Sequence, residues 1–378
     1  MAASLTNESS VLQQYWIPAL KMLPAIIPAM RLLLIFILVL AGALSASESV
    51  PSSVHPLWDG SESVADYAKK INLPPTQTLD LGNGVKLDLV LIPAGKFIMG
   101  TPEHEKPAVG QTMVGVSVGV LFVVMVTLLV RARRKRIRPQ FSMAFMLLMT
   151  FVASIGVWGG VRWLEALKHP DAFPNEHPAH KVTLTQPFYM GKYVVTQEQY
   201  QAVTGATPSQ FKGKDIPVEQ VSWDDAQAFC KKLAEQTKQT IRLPTEAEWE
   251  YSCRAGTRTT YYSGDTESDL ARVAWYSANS KNTTHPVGQK EANAFGLYDM
   301  HGNVWQWCQD WYGEDYYGKS VVENPQGPDQ DTVRLLRGGS WNERPMICRS
   351  AFRCVGGPGD RYNGIGFRVV VVPAFRTP

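Results

Sequence analysis

Three uninterrupted apolar runs dominate the hydrophobic pattern of the chain. The first, residues 32–44, follows Arg31 and precedes small and polar residues. A basic flank, a short apolar stretch and small residues after it are typical of a secretory signal peptide. Residues 1–49 are therefore predicted to be a signal peptide or an uncleaved N-terminal anchor, and Met30 is a possible true start of translation.

The second and third apolar runs, residues 113–130 and 141–161, are long enough to cross a bilayer. Neither run contains a charged residue, and the second would span about 27 Å as a helix. The loop between them carries six cations and no acid, and basic loops stay cytoplasmic. This pattern predicts a transmembrane helical hairpin over 113–161, which makes the membrane a partner and places the main domain extracytoplasmically, in the periplasm or at the cell surface. A buried pair of soluble helices is the alternative.

Shorter periodic segments predict strands and helices on both sides of these runs. Alternating β-branched residues over 85–100, with a Pro-Ala-Gly turn, are typical of a β-hairpin, and residues 181–195 show the same pattern. A helix is predicted over 63–71. After residue 256 glycine, aromatic and turn residues dominate, and no further helix is predicted.

Three further helices carry explicit start signals in the form of capping boxes. The pairs are Thr196 with Gln199, Ser222 with Asp225, and Thr245 with Glu248. Gly205 is a natural stop for the first helix. In the second helix the apolar residues that share one face predict burial of that face; they are Ala226, Phe229, Cys230 and Leu233.

Composition and charge narrow the function classes. The 378 residues are 45% hydrophobic and 19% charged, which excludes a fully disordered protein. The net charge is +3, and the six cations between residues 131 and 138 exceed it by themselves, so the rest of the chain is net negative. No nucleic-acid partner is therefore predicted. Eleven Trp, 14 Tyr and 14 Phe supply aromatic rings for a core or a binding face.

Seven ordered sequence blocks resemble the formylglycine-generating-enzyme family, also called the sulfatase-modifying-factor domain. They are IPAGKFIMG (92–100), KYVVTQEQY (192–200), PVEQVSWDDAQAFC (217–230), RLPTEAEWEYSCRAG (242–256), AFGLYDMHGNVWQW (294–307), LRGGSW (336–341) and GIGFRV (364–369). The resemblance implies an α+β fold of irregular, C-type-lectin-like topology with little regular secondary structure, interrupted here by the transmembrane helical hairpin. The predicted organisation is a short helical linker over 50–78, the family domain over 79–106 and 170–378, and the inserted hairpin over 107–169.

The resemblance also bears on redox chemistry. Family oxidases convert a sulfatase cysteine to formylglycine with two copper-binding thiols, which have four residues between them and lie just after a Gly-Gly-Ser sequence. Here Glu343 stands where direct counting places the first thiol, and only Cys348 and Cys354 follow. A carboxylate is a hard ligand and does not replace a thiolate in a Cu(I) site. Copper is therefore not predicted, and an oxidase would have to use Cys348 and Cys354 as catalytic residues.

A structural calcium site is implied by the same resemblance. The family ligands carry over to the side chain of Asp299, the carbonyls of Gly302 and Val304, and Gln306. All four are oxygen donors, as calcium requires. Gln306 replaces an acidic ligand with a neutral amide, so the expected affinity is lower than in the family. A tight turn without metal is the alternative. The closely spaced His177 and His180 are interpreted as a loop pair rather than as metal ligands.

Five cysteines are an odd number for an exported protein. Cys253 and Cys348 resemble family positions that form a disulfide, and the resemblance implies the same bridge here. Cys230 resembles a second bridged position, but its partner position is Val369. It is therefore predicted to be a buried thiol.

The predicted function is binding rather than oxidation. The C-terminal loops are rich in Arg, Trp, Tyr and Gly, which suit recognition. The predicted surface for a protein or glycan ligand consists of Trp341, Asn342, Glu343, Arg344, Arg349, Phe352, Arg361, Tyr362 and Asn363. Two alternatives stay open. One is a formylglycine-generating oxidase that acts on a sulfatase cysteine, and the other is the variable binding protein of a diversity-generating retroelement.

Overall fold

The computed structural model of the protein describes residues 55–101 and 173–374. The predicted signal peptide or anchor over 1–49 lies outside these residues. The helices are α1 (Val64–Lys70), α2 (Gln197–Thr204), α3 (Trp223–Thr237), α4 (Glu246–Arg254) and α5 (Glu267–Val273). The strands are β1 (Thr76–Asp80), β2 (Lys86–Ile92), β3 (Gly95–Met99), β4 (His180–Leu184), β5 (Phe188–Gly191), β6 (Thr240–Arg242), β7 (Ala274–Trp275), β8 (His301–Gly302), β9 (Trp305–Trp311), β10 (Arg334–Arg337), β11 (Cys354–Gly356), β12 (Ile365–Gly366) and β13 (Val370–Val372).

The strands form two larger and two smaller sheets. A five-stranded antiparallel sheet has the order β1-β2-β5-β13-β6, and a four-stranded sheet has the order β11-β10-β9-β12. Strand β12 pairs with β9 in parallel, whereas the other pairs of that sheet are antiparallel. Strands β3 and β4 pair separately, as do β7 and β8. The result is a mixed α/β domain in which the C-terminal strand β13 lies inside the larger sheet.

The two predicted hairpins are wrong, although the strands exist. Strand β2 pairs with β1 and β5, and strand β3 pairs with β4, so the two strands of each predicted hairpin belong to different sheets. The last four residues of β2 are all buried, which is typical of a strand covered on both faces rather than of one arm of a hairpin. The fully buried Ala94 lies between β2 and β3.

The helices with capping boxes are confirmed. Helices α2, α3 and α4 begin after Thr196, Ser222 and Thr245, each with both capping bonds formed. The predicted apolar face of α3 is buried. The expectation of no helix after residue 256 is wrong, because α5 begins at a fourth capping box, formed by Thr266 and Asp269. This helix has only seven residues, so it shows little periodicity.

The predicted fold class is wrong in its transmembrane hairpin. Over residues 55–101 and 173–374 no helix is long and apolar enough to cross a membrane. Residues 113–161, to which the hairpin was assigned from run length and charge, lie outside the described residues. The described chain stops at Thr101 and resumes at Phe173, and the Thr101 N–H donates to the carbonyl of Glu176 at 3.2 Å. The mixed α/β fold therefore closes without a spanning element in its described part.

Candidate functional site

Two glutamates one turn apart on helix α4 anchor the C-terminal loops from inside the fold. Glu250 pairs with Arg337 and, at 2.9 Å, with Arg254 of its own helix. The two carboxylate oxygens of Glu246 accept from Nε and Nη2 of Arg353 at 2.7 and 3.0 Å. Burial alone would raise the pKa of Glu250, but the guanidinium groups of Arg254 and Arg337 outweigh it and hold this pKa below its usual range. The network is fully buried and charge-paired.

Arg337 extends this anchoring to the loop before strand β11. Its Nη1 donates to the carbonyls of Ala351 and Phe352 at 2.8 and 2.7 Å, and its Nη2 donates to the carbonyl of Ser350 at 2.9 Å. Removing one partner of such a buried pair typically costs about 3–5 kcal/mol. These bonds therefore fix residues 350–352 through their backbone carbonyls.

The loops 341–344 and 361–363, which carry most of the predicted surface, contact each other. The indole N–H of Trp341 donates to the carbonyl of Asn363 at 2.9 Å. Its ring packs edge-on against Phe211 with the ring centroids 5.5 Å apart, and Asn363 donates to the side chain of Gln210 at 3.2 Å. The structure therefore adds loop 209–213 to the predicted surface.

A second group of predicted residues surrounds Trp305 of strand β9. The Trp305 indole N–H donates to Glu343 Oε1 at 3.3 Å, and its ring centroid lies 6.0 Å from that of Phe352. Arg349 forms a two-bond pair with the buried Glu176 at 2.6 and 2.8 Å. Arg349 and Phe352 are thus part of the supporting frame, because both are half-buried against other side chains.

The remaining predicted residues project into solvent. Asn342, Arg344, Arg361 and Tyr362 are exposed, and Tyr362 is 60% exposed. Arg361 pairs with Asp225 at 2.8 and 3.0 Å, a surface pair of the kind that contributes little to stability. Within the described residues Arg344 forms no ion pair. We call the region formed by loops 209–213, 341–344 and 361–363 the C-terminal face.

Sequence reasoning missed Gln210, Phe211 and Trp305. The first two lie in a polar loop more than a hundred residues before the segments that they contact, and nothing in that loop marks it as functional. Trp305 lies within GNVWQW, a block whose interpretation was limited to metal binding. The Trp-Gln-Trp pattern at residues 305–307 was the available signal.

The two candidate catalytic thiols lie in different surroundings. Cys348 is fully buried, in a cluster with Tyr261, Leu270 and Tyr276, and burial raises the pKa of its thiol. Cys354 is half-buried at the start of β11, where burial also raises its pKa. Raised pKa values disfavour the thiolates that Cu(I) needs. The burial of these two thiols therefore does not favour a bis-thiolate copper site.

The predicted disulfide between Cys253 and Cys348 is not present, and all five cysteines are free thiols. The Cys253 Sγ instead faces Ser350 Oγ at 3.8 Å and His301 Nε2 at 3.7 Å. The resemblance implied Cys348 as the bridged partner, but in the fold Ser350, two residues later, lies opposite Cys253. Burial raises the pKa of Cys253 to about 12, so this thiol is inert.

Two of the four implied calcium ligands, the side chains of Gln306 and Asp299, already bond other groups of the protein. Gln306 Oε1 accepts from the indole N–H of Trp249 at 2.8 Å and from Arg368 Nε at 2.7 Å. Both partners are obligate donors, so the oxygen must face them and the Gln306 amide N–H points to the Asp299 carbonyl at 2.7 Å. The Asp299 carboxylate accepts from the Gly288 N–H and from Asn303 at 2.9 and 3.2 Å.

Charge also opposes a cation at this position. Arg368 is fully buried, and its Nη2 donates to the carbonyl of Tyr298 at 2.7 Å, next to Asp299. Both groups are buried, and this burial raises the pKa of Asp299 and lowers that of Arg368 to about 10. One carboxylate and one guanidinium leave no negative charge to balance a divalent ion. Nor do three His, Cys, Asp or Glu side chains of the described ranges form a metal-binding group. The residues present do not fit calcium.

Comparison with known proteins places this geometry in a family context. A family model described as the sulfatase-modifying factor enzyme 1-like domain matches residues 151–372. The chaperone protein LppX of Paenibacillus barcinonensis is 35% identical over 210 residues, 42% of this chain and 71% of that protein. The formylglycine-generating enzyme of Streptomyces coelicolor is 34% identical over 167 residues, 40% of this chain and 51% of the enzyme.

Two further relatives extend the comparison. The serine/threonine-protein kinase pkn1 of Chlamydia caviae is 35% identical over 223 residues, 51% of this chain. The chain spans only 34% of that kinase and about half of the enzyme from Streptomyces. Among solved structures, Treponema denticola variable protein 1 has a TM-score of 0.58 and 26% identity, over 79% of this chain and 100% of that one.

The Cys253–Ser350 contact predicts an engineered disulfide. Ser350→Cys is expected to bridge to Cys253 on oxidation, because the two side-chain atoms already lie 3.8 Å apart. Closing a loop of about 100 residues stabilises by about 4–5 kcal/mol in the chain-entropy model. Peptide mapping without reductant and thermal unfolding with and without reductant measure both effects. Ser350→Cys combined with Cys253→Ser is the control. A wild-type Cys253–Cys348 bridge would contradict the prediction.

The Gln306 contacts predict a fold that does not depend on calcium. Addition of EGTA or of millimolar CaCl2 is expected to leave the melting temperature unchanged. Gln306→Ala is expected to destabilise by about 3 kcal/mol, because it leaves the buried donors of Trp249 and Arg368 without an acceptor. Gln309→Ala in the same strand is the matched control, because its half-buried amide bonds only another amide, that of Gln227, at 2.7 Å. A rise of several degrees with calcium would overturn this view.

Proposed function

The chain belongs to the family of the sulfatase-modifying factor enzyme 1-like domain, and on that premise we propose that it is a non-oxidising member that binds a protein or glycan ligand at the C-terminal face. The observation that carries the proposal is the absence of a usable thiol pair next to that face. Glu343 takes the place of one thiol, and Cys348 is fully buried among aromatic rings. The chain therefore shares its fold with the relatives that are named as enzymes, but we do not expect it to share their oxidase chemistry.

The architecture of the C-terminal face supports a binding role. Its frame is rigid, because Trp341, Asn363 and Trp305 are fixed by hydrogen bonds and ring contacts. Its exposed positions, Arg344 and Tyr362, are residue types enriched at binding hot spots. Rigid support lowers the entropy lost when such side chains contact a ligand.

A second candidate function is that of a variable binding protein of a diversity-generating retroelement. It is favoured by the similarity to Treponema denticola variable protein 1 over that chain's whole length. It also fits residues 350–352, whose backbone carbonyls bond Arg337, since such bonds tolerate side-chain changes. A reverse transcriptase gene nearby, with a template copy of the codons for 342–363, would distinguish this candidate.

The proposal predicts no oxidase activity. The purified protein is expected neither to bind Cu(I) tightly nor to consume oxygen with a Cys-x-Pro-x-Arg peptide, because no thiolate pair is available. Copper titration with and without reductant, and an oxygen electrode, measure these outcomes. The formylglycine-generating enzyme of Streptomyces coelicolor serves as the positive control. Tight Cu(I) binding that disappears in Cys354→Ser would show that the chain is an oxidase.

The proposal also predicts which substitutions weaken binding. On glycan and peptide arrays, Tyr362→Ala and Arg344→Ala are expected to weaken recognition roughly tenfold each, as expected for hot-spot residues. Val321→Ala is the matched control, because Val321 is 59% exposed and lies outside the C-terminal face. A ligand whose binding survives both substitutions at the face would contradict the assignment of the surface.

A further inference from the structure

Loop 209–213 of the C-terminal face is held by side chains rather than by a sheet or helix. Glu219 Oε1 accepts the Phe211 N–H at 2.9 Å. The Ser209 hydroxyl accepts the Glu219 N–H at 3.0 Å and donates to the Glu219 carbonyl at 3.2 Å. Gln197 Nε2 donates to the Phe211 carbonyl at 2.8 Å. The position of this loop therefore depends on three polar side chains.

Glu219 is the least satisfied of these side chains. The residue is fully buried, and its second carboxylate oxygen, Oε2, is buried without a hydrogen-bond partner. Burial raises the pKa of Glu219 to about 7, although the Phe211 and Gln210 N–H groups and the charge of Lys212 lower it. Lys212, on the loop itself, is the charged group whose field reaches the carboxyl group.

The same segment supports three positions of the C-terminal face. Phe211 packs against the Trp341 ring, and Gln210 accepts from Asn363. Directly after Glu219, the Gln220 N–H donates to the carbonyl of Tyr362 at 3.0 Å. A shift of the segment would therefore move Phe211, which packs against Trp341, together with the Gln220 N–H that holds the backbone of Tyr362.

We propose that Glu219 is a positioning residue for the C-terminal face, whose neutral carboxyl group keeps loop 209–213 closed and whose ionisation releases it. The functional meaning of this release rests on the proposed function. The release itself follows from the geometry, because ionisation places charge on a carboxyl group whose Oε2 is buried without a hydrogen-bond partner. Opening of the loop hydrates that oxygen.

The direction of the pH effect follows from linkage. A carboxyl group whose pKa is higher in the closed loop than in water is protonated preferentially in the closed state, so closure is weakened as pH rises from 4.5 to about 7 and then changes little. If the open loop restores the ordinary value of 4.5, the opening equilibrium rises about tenfold between pH 6 and pH 8.

Hydrogen–deuterium exchange of the full chain, followed by mass spectrometry, tests the proposal without any ligand. After correction for intrinsic exchange, residues 209–213 of the wild type are expected to exchange about tenfold faster at pH 8 than at pH 6. Glu219→Gln keeps an acceptor for the Phe211 N–H and carries no charge, so exchange should be slow at both values. Glu219→Ala removes the acceptor, so exchange should be fast at both.

Asp265→Asn is the matched control, because Asp265 also accepts a backbone N–H, that of Thr260 at 2.8 Å, in an exposed turn elsewhere. It should leave residues 209–213 unchanged. A pH-independent wild type, or a Glu219→Gln variant with the same pH dependence as the wild type, would overturn the proposal. If Glu219→Ala does not fold, the comparison of wild type with Glu219→Gln decides. Because exchange needs no ligand, failure of the binding assays does not affect this result.

Discussion

The pairing of two helix α4 glutamates with arginines of distant segments is the constraint on which the described fold depends. Glu250 accepts the Gly100 N–H at 2.9 Å at the end of β3, and it also binds Arg337 at the end of β10. Hydrophobic contacts alone would allow these elements to slide, since burial has no direction. Directional bonds between buried charges fix one arrangement, and a mismatch would leave a charge without compensation.

This constraint also separates the frame of the C-terminal face from its exposed positions. Arg337 binds carbonyl oxygens of the loop, which every residue type supplies. Trp341 likewise donates to a carbonyl of the facing loop. Side chains such as those of Arg344 and Tyr362 therefore contribute little to the position of their own backbone. Within one family, such a division allows related chains to share a scaffold while their surfaces differ in chemistry.

Local signals predicted local structure well. A capping box acts within four residues, so Thr196, Ser222 and Thr245 each mark a helix start in the sequence and in the structure. Strand pairing is not local, and alternation over 85–100 could not indicate that the chain changes sheets at Ala94. The family was recognisable from seven ordered blocks.

The site was less predictable, because its details depend on loop length and tertiary contact. The family resemblance implied Cys348 as the partner of Cys253, whereas the folded loop places Ser350 there. The resemblance implied a calcium site, but the Gln306 side-chain oxygen accepts from Trp249 and Arg368. The contact of Phe211 with Trp341 joins segments with no shared sequence signal.

The antiparallel pairing of β3 with β4 has a topological consequence. Met99 lies opposite His180, so the chain leaves and re-enters the described fold at neighbouring points. The entropic free-energy cost of closing a loop between two such points grows only with the logarithm of the loop length, by about 0.6 kcal/mol per doubling. Residues 102–172 thus join two ends that the domain already holds together. Insertions or deletions between these two ends therefore change the stability of the fold very little.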